Sequence, residues 1–125
     1  MVLIDTHALI WALYEPAHLT DAARGAIADN DCAVSIASLW EMSIKVAKEQ
    51  LVLKDTIIGI ANRCVQMGVD ILPISPHDCQ RIQALPFIHK DPFDRIIMAQ
   101  AIERGIPLIT KDENIWKYEG VRKIW

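Results

Sequence analysis

Short runs of consecutive apolar residues recur along the chain. Between them lie longer stretches in which apolar residues return every three or four positions. Continuous apolar runs of this length are typical of strands that are buried on both faces of a sheet. The longer spacing is typical of amphipathic helices. The runs predict five strands: Val2–Ile4, Cys32–Ser35, Ile71–Ile74, Leu108–Thr110 and Val121–Ile124.

Capping residues mark the limits of the helices between these strands. Ser, Thr and Asp favour helix N-termini, Pro favours the first helical position, and Gly often follows the C-terminus. The predicted helices cover about residues 8–13, 21–29, 38–50, 55–68, 75–85 and 91–105. The expected caps are Thr20, Asp55, Ser75 and Asp91 at N-termini, and Gly68 and Gly105 at C-termini. This alternation predicts an α/β fold with a mainly parallel sheet, in one domain spanning residues 1–125.

Composition narrows the class of protein. The chain is 52% hydrophobic, which suits a compact domain or one that covers an apolar surface with a partner. Its net charge of −3 provides no overall basic field for nucleic acid. The three cysteines, Cys32, Cys64 and Cys79, are far apart, and we expect reduced thiols in a cytoplasmic protein. Because the sequence has neither a long apolar run nor a basic N-terminal region, we expect no membrane span and no signal peptide.

Two acids follow predicted strands directly. Asp5 comes after Val2–Ile4, and Asp112 comes shortly after Leu108–Thr110. In open parallel sheets, ligands bind outside the carboxyl ends of the strands, so two neighbouring strands would bring these acids together. Each acid also has a purely structural interpretation, since Asp5 can cap the following helix and Asp112 can cap a turn.

Asp94 lies in the first turn of the helix that Asp91 is expected to cap. Ile97, Met98 and Ala101 follow it at helical spacing, so its carboxylate lies toward the predicted apolar side. An acid in the first turn also pairs favourably with the helix dipole. However, an unpaired buried carboxylate is costly, and a bound metal ion would remove that cost. The pattern therefore favours a functional role for Asp94.

The helical pattern around Glu41 predicts a solvent-exposed side chain without a functional role. Glu41 lies off the apolar side of its helix and four residues before Lys45, so periodicity predicts a solvated ion pair. Four residues make up the predicted apolar side: Trp40, Ser43, Ala47 and Leu51.

Four segments of the chain resemble the acidic motifs of the PIN-domain ribonucleases, and most closely those of the VapC-type toxins of bacterial toxin–antitoxin pairs. The resemblance covers the whole chain, and the motifs have the order and approximate spacing of the family. The segments are Asp5 in LIDTHALIW, Glu41 in SLWEMSIK, Asp94 in HKDPFDRIIMAQA and Asp112 in LITKDEN.

The resemblance implies a PIN-like three-layer α/β/α sandwich and an endoribonuclease that hydrolyses RNA phosphodiesters with Mg²⁺ or Mn²⁺. It also implies a homodimer that a cognate antitoxin silences. Asp5 and Asp94 would be metal ligands, with Glu41 and Asp112 completing the site directly or through water. The resemblance thus gives Glu41 a role that its periodicity does not.

The sequence indicates a role in the site less clearly for other residues near the four acids. Thr6 and Thr110 match hydroxyl positions that are often found near the metal site of the family. His89 is a candidate for phosphate contact or proton transfer, although its position favours holding a loop. Arg95, together with two nearby lysines, is a candidate for binding flanking phosphates, with plain solvated charge as the alternative. The two lysines are Lys90 and Lys111.

Two other classes of protein compete with the nuclease interpretation. A phospho-receiver domain needs an adjacent acidic pair after its first strand, but Asp5 is followed by Thr6 and His7. It also needs an acceptor Asp after its third strand, and the segment ILPISP contains none. A PIN fold without catalytic activity remains open, because the sequence does not tell whether the four acids converge.

Overall fold

A single five-stranded sheet organises the fold. The computed structural model describes residues 1–125, and all strand pairs in it are parallel, in the order β3-β2-β1-β4-β5. The strands are β1 Val2–Ile4, β2 Cys32–Ser35, β3 Val69–Leu72, β4 Leu108–Ile109 and β5 Lys123–Ile124. The third strand begins two residues earlier than the sequence predicts, and the last two are shorter.

Helices connect the strands, and a short 3₁₀ helix, Pro16–His18, follows the first of them. The helices are α1 Thr6–Tyr14, α2 Asp21–Asp29, α3 Ile36–Ala47, α4 Ile57–Gln66, α5 Pro76–Ala84, α6 Pro92–Arg104 and α7 Glu113–Trp116. The expected caps Thr20, Ser75 and Asp91 are confirmed. Gly105 ends α6 with a left-handed φ of 61°. The predicted Asp55 cap is wrong, since Thr56 caps α4 and the Asp55 carboxylate accepts a hydrogen bond from the Thr56 amide at 2.7 Å.

The sheet lies between two helical layers. Side chains of β1 alternate between its faces, so Val2 and Ile4 join one apolar cluster and Leu3 joins the other. The first cluster includes residues of α1, α2 and α4, whereas the second includes five residues of α6, among them Ile97 and Met98. The predicted three-layer α/β/α sandwich is therefore confirmed.

Strand register aligns the carboxyl ends of the central strands. Leu3 of β1 is paired with Ala33 of β2 on one side and with Leu108 of β4 on the other. α1 and α3 begin immediately after their strands. Because helices in parallel α/β folds return antiparallel to the strands, the N-terminal turn of α6 also lies at this edge. The fold thus brings Asp5, Asp94 and Asp112 to one edge of the sheet.

The cysteines and the lengths of the helices bear on two expectations from composition. Cys32, Cys64 and Cys79 are all free thiols, and only Cys79 is exposed. The longest helix, α6, has 13 residues, and none of the helices combines the length and hydropathy that a bilayer crossing requires.

Helix α3 is rotated relative to its predicted apolar side. Glu41 and Met42 are buried, whereas Trp40 is 59% exposed and packs edge-on against Phe93 with ring centroids 5.1 Å apart. The prediction that Trp40 faces the core and Glu41 faces water is therefore wrong. Hydrophobic periodicity fails here because the buried face of α3 contains polar residues, among them Ser38 and Glu41.

We expect alanine substitutions on α3 to show this rotation. Met42→Ala removes a fully buried side chain and should lower the free energy of unfolding by about 2–5 kcal/mol. Trp40→Ala removes a larger but exposed ring and should cost about 1 kcal/mol, mostly its contact with Phe93. Urea unfolding of both variants measures the difference. A larger loss for Trp40→Ala would mean that α3 packs in the predicted orientation instead.

Candidate active site

Asp5 and Asp112 each use one carboxylate oxygen to cap a helix. Asp5 Oδ1 accepts a hydrogen bond from the Ala8 amide at 2.8 Å, which starts α1 two residues earlier than predicted. Asp112 Oδ1 accepts from the amides of Asn114 and Ile115 at 2.8 and 3.1 Å. The second oxygen of each carboxylate makes no bond to a helix amide. A capping role and a role in a site are therefore compatible in both residues.

Burial and a neighbouring charge act on Asp5. Its carboxyl is 6% exposed, and this burial raises its pKa above the usual value, with the charge of Asp112 adding to the effect. Hydrogen bonds from the Thr110 hydroxyl and the Ala8 amide, and the charge of His7, oppose the shift. The structure thus places Asp5 and Asp112 close enough to repel one another.

The pKa of Asp94 is also raised. Burial, followed by the charges of Asp91, Glu41 and Asp112, raises its pKa to about 7, whereas His89 lowers it. Three other carboxylates therefore act on this one carboxyl group. The predicted orientation of Asp94 toward the buried side of α6 is confirmed, since Ile97, Met98 and Ala101 are all buried.

Glu41 is buried and only half satisfied. It is 3% exposed, and its Oε2 forms an ion pair with Lys45 Nζ at 2.8 Å. Its Oε1 is buried without any hydrogen-bond partner. An anionic oxygen in this state is costly unless a cation neutralises it. Glu41, which periodicity predicted to be solvated, is therefore a buried carboxylate with one oxygen that lacks a positively charged partner.

His89 lies between two of the acids. Its Nε2 is 2.8 Å from Asp94 Oδ2 and 3.4 Å from Asp112 Oδ2. Its Nδ1 accepts from the Asp91 amide at 3.4 Å, so the neutral tautomer has its proton on Nε2, where it donates to the carboxylates. One ligand atom from each of His89, Asp94 and Asp112 lies within 4.8 Å of the others. His89 thus holds its loop and faces two of the acids, whereas its role in phosphate contact or proton transfer stays a prediction.

Arg95 is not available to bind phosphate, contrary to the expectation from its position. It is 5% exposed, and its guanidinium donates to the carbonyl oxygens of four residues in the segment that leads into α6. It also donates to the Tyr118 hydroxyl at 3.3 Å. Arg95 therefore holds the loop that carries His89. The four carbonyl oxygens belong to Ile82, Leu85, Pro86 and His89.

The two threonines have different surroundings. The Thr110 hydroxyl accepts from the Asp112 amide at 3.1 Å and donates to Asp5, so it connects two of the acids. The Thr6 hydroxyl instead donates to Ser38 Oγ at 2.9 Å. Sequence reasoning missed Ser38, although its position three residues before Glu41 puts it on the same face of α3.

The chain belongs to the PIN domain family. The family model matches residues 2–121. The chain is also 32% identical to Ribonuclease VapC22 of Mycobacterium tuberculosis over 125 residues, which is 98% of this chain and 95% of that protein.

Solved structures support the fold. VapBC2 from Rickettsia felis, bound to a promoter DNA fragment, superimposes with a TM-score of 0.73 at 16% identity, covering 98% of this chain and 97% of that one. The VapC20 toxin of Mycobacterium tuberculosis, which cleaves the sarcin–ricin loop, gives a TM-score of 0.59 at 15% identity over 98% and 99%. At these identities the likeness shows the fold alone.

The acidic group fits a divalent cation. Its donors are carboxylate oxygens, which suit hard cations, and Glu41 Oε1 lacks a partner. The pKa of Asp94 is raised because negative charge is concentrated where burial already disfavours it. A cation at this edge of the sheet would give Glu41 Oε1 a partner and would lower the pKa of Asp94.

The raised pKa of Asp94 predicts how stability depends on pH. Because its folded pKa of about 7 exceeds the usual 3.8, stability is greatest below the lower value and falls as pH rises through the higher one. In EDTA, the melting temperature should therefore decrease from acidic to neutral pH. Asp94→Asn should lose part of that decrease, and the raised pKa of Asp5 accounts for the remainder. Equal pH dependence in the two proteins would show that Asp94 is not the responsible group.

The same variant should also lose stabilisation by metal. A ligand that binds only the folded state, at a hundredfold excess over Kd, stabilises it by about 2.7 kcal/mol, which is several degrees for a domain of this size. Mn²⁺ should raise the melting temperature of the wild-type protein by this amount and that of Asp94→Asn by much less. Asp29→Asn removes an exposed carboxylate at the opposite edge of the sheet and is the control. An undiminished Mn²⁺ shift in Asp94→Asn would exclude Asp94 from the metal site.

Proposed function

We propose that this protein is a divalent-metal-dependent endoribonuclease that hydrolyses RNA phosphodiesters and acts as the toxin of a toxin–antitoxin pair. Membership of the PIN family and the 32% identity to a ribonuclease of the VapC group support this activity. The observation that carries the proposal is the concentration of carboxylates at one edge of the sheet. Burial, followed by the charges of Asp91, Glu41 and Asp112, raises the pKa of Asp94 to about 7, and Asp112 adds to the raised pKa of Asp5. A PIN fold that serves only for binding would have no need for so costly a cluster.

We assign the metal site to these acids. Asp5 and Asp94 are the direct ligands of Mg²⁺ or Mn²⁺, and Glu41 and Asp112 complete the site directly or through water. The carboxylate donor set supports this assignment, because both ions prefer oxygen ligands. When bound, such an ion lowers the pKa of a bound water and neutralises charge that develops on the phosphate.

The side chains of the protein hold these ligands in place. Lys45 fixes one oxygen of Glu41, so that the other stays directed away from that pair. Thr110 orients Asp5, and the Nε2 proton of His89 restrains Asp94 and Asp112. Arg95 acts indirectly, since its bonds to backbone carbonyls keep the His89 loop against α6. This rigid support is what positions an attacking water in line with a phosphodiester.

We also propose that this acidic protein contacts RNA mainly through local positive charge. Bound cations reverse the field of the carboxylates, and exposed Lys90 and Lys111 flank them. RNA as the substrate implies that the protein acts in the cytoplasm. Residues 1–125 act as one domain in this proposal, because strands from both ends of the chain form the shared sheet edge.

A cognate antitoxin is the expected partner. Three of the structural neighbours are toxin–antitoxin complexes, from Rickettsia felis, Klebsiella pneumoniae and Salmonella typhimurium. Around α4 this chain exposes large apolar side chains, including Val52 at 94%, Ile58 at 71% and Val65 at 68%. We propose that the antitoxin covers this surface. We further propose a homodimer, which the exposed Trp40 beside α6 supports.

We expect the protein to cleave RNA only when a divalent metal is present. Mn²⁺ should permit fragmentation of a pool of structured RNAs, and EDTA should abolish it. Asp5→Asn and Asp112→Asn should each reduce the rate by at least about 100-fold, because metal affinity falls when a ligand is lost. Asp29→Asn is the matched control, and gel electrophoresis of labelled RNA measures the rate. Cleavage that persists in EDTA, or at full rate in Asp5→Asn, would indicate a different chemistry.

Co-expression tests the apolar surface around α4. We expect the antitoxin to be a small protein encoded beside this gene, and its co-expression should raise the soluble yield and suppress RNA cleavage. Ile58→Glu combined with Val65→Glu should disrupt the complex, because two charges on one face of α4 would have to be buried. Ala22→Glu, at an exposed position of α2, is the control. Separate elution of the wild-type proteins at micromolar concentration in size-exclusion chromatography would contradict the proposal.

A further inference from the structure

A cluster of aromatic rings lies next to the acidic site. Trp11 of α1 stacks on His18 with ring centroids 5.5 Å apart and an interplanar angle of 18°. The Trp125 ring is 5.7 Å from Trp11 at 49°, and the His7 ring is 6.0 Å away at 48°. Lys111 Nζ lies 5.8 Å from the centroid of the Trp11 ring. We name these five residues the aromatic patch.

Three chain segments join the aromatic patch to the edge of the sheet that carries the acids. His7 is two residues beyond Asp5, and its charge lowers the pKa of that carboxyl. Lys111 directly precedes Asp112, and Trp125 directly follows β5. The patch and the acids therefore lie side by side at the carboxyl ends of β1, β4 and β5.

The aromatic patch is open to solvent and has positive charge at its rim. His7, His18 and Lys111 are exposed, whereas Trp11 and Trp125 are half-buried against the first apolar cluster. Lys111 forms no ion pair. The one acid that forms an ion pair with a patch residue is Glu15, whose carboxylate lies 3.3 Å from His18 Nε2.

Flat rings beside a free cation match the chemistry of single-stranded nucleic acid. Unpaired bases stack on aromatic side chains, and a nearby lysine contacts the phosphate backbone. Bases within a duplex already stack on one another and do not reach such a surface. A phosphate held at the acidic site by a cation would leave the adjoining nucleotide over these rings.

We propose that the aromatic patch binds an unpaired nucleobase of the RNA, next to the phosphodiester at the acidic site, and that Lys111 contacts the neighbouring phosphate. The inference deepens the proposed function, on which it rests, by naming the surface of this chain that holds a base beside the acidic site. Stacking on Trp11 and His18 supplies affinity with little selectivity among bases, since every base has an aromatic face.

Binding measured in EDTA tests the aromatic patch separately from cleavage. The probes are a fluorescein-labelled oligoadenylate of about 12 nucleotides and an abasic strand of equal length. Fluorescence anisotropy should show about 10-fold tighter binding of the oligoadenylate. Trp11→Ala and His18→Ala should remove most of this difference, and Trp11→Phe should retain it. Lys111→Ala should instead weaken the binding of both probes and reduce the dependence of their affinity on salt concentration.

His18→Ala and Lys111→Ala keep the test valid if Trp11→Ala does not fold, because both side chains are exposed. Trp40→Ala, which removes an exposed indole outside the patch, is the control. Equal affinity for the two probes, or equal loss in Trp40→Ala, would overturn the proposal.

The proposal would also fail if Trp11→Ala and His18→Ala bind RNA normally but no longer bind the antitoxin, because the patch would then be a protein-binding surface. Metal-dependent cleavage that proceeds without any effect of the patch variants would refute the patch alone. Patch-dependent binding without cleavage would refute the nuclease proposal alone.

Discussion

Negative charge concentrated at one buried edge of a parallel sheet is the constraint on which the rest of this structure depends. Asp5, Glu41 and Asp94 are largely withdrawn from water, and this burial, followed by repulsion from neighbouring acids, raises the pKa values of Asp5 and Asp94. Folding without a cation must therefore tolerate protonated or unpaired carboxylates. The surrounding bonds limit this penalty, since helix amides, the Thr110 hydroxyl, Lys45 and His89 each donate to one of the acids.

Several residues both stabilise the fold and belong to the acidic site or support it. Asp5 and Asp112, which belong to the proposed cation site, also start α1 and α7, so removing either acid affects a helix cap as well as the proposed site. Arg95 links the second apolar layer to the loop that carries His89 and has no exposed donor left for substrate. Because each part has two roles, stability and activity of variants must be measured together.

Much of this arrangement could be predicted from local sequence signals. Apolar runs followed directly by Asp5, or shortly by Asp112, place acids at strand ends, and the buried stripe of α6 identifies Asp94. Glu41 could not be found in this way, because α3 buries polar side chains and exposes Trp40, which inverts the expected pattern. Its likeness to the PIN motif identified it instead. The bonding of Arg95 was equally hidden, since its carbonyl partners come from a loop without periodicity.

Anomalous diffraction from crystals soaked in Mn²⁺ would locate the cation directly. We expect a peak within coordination distance of carboxylate oxygens of both Asp5 and Asp94, with Glu41 and Asp112 in contact directly or through water. Such a peak would explain why Glu41 Oε1 has no donor and why the pKa of Asp94 is raised in the absence of metal. A peak confined to exposed carboxylates elsewhere, with Asp5 and Asp94 unoccupied at saturating Mn²⁺, would contradict the account.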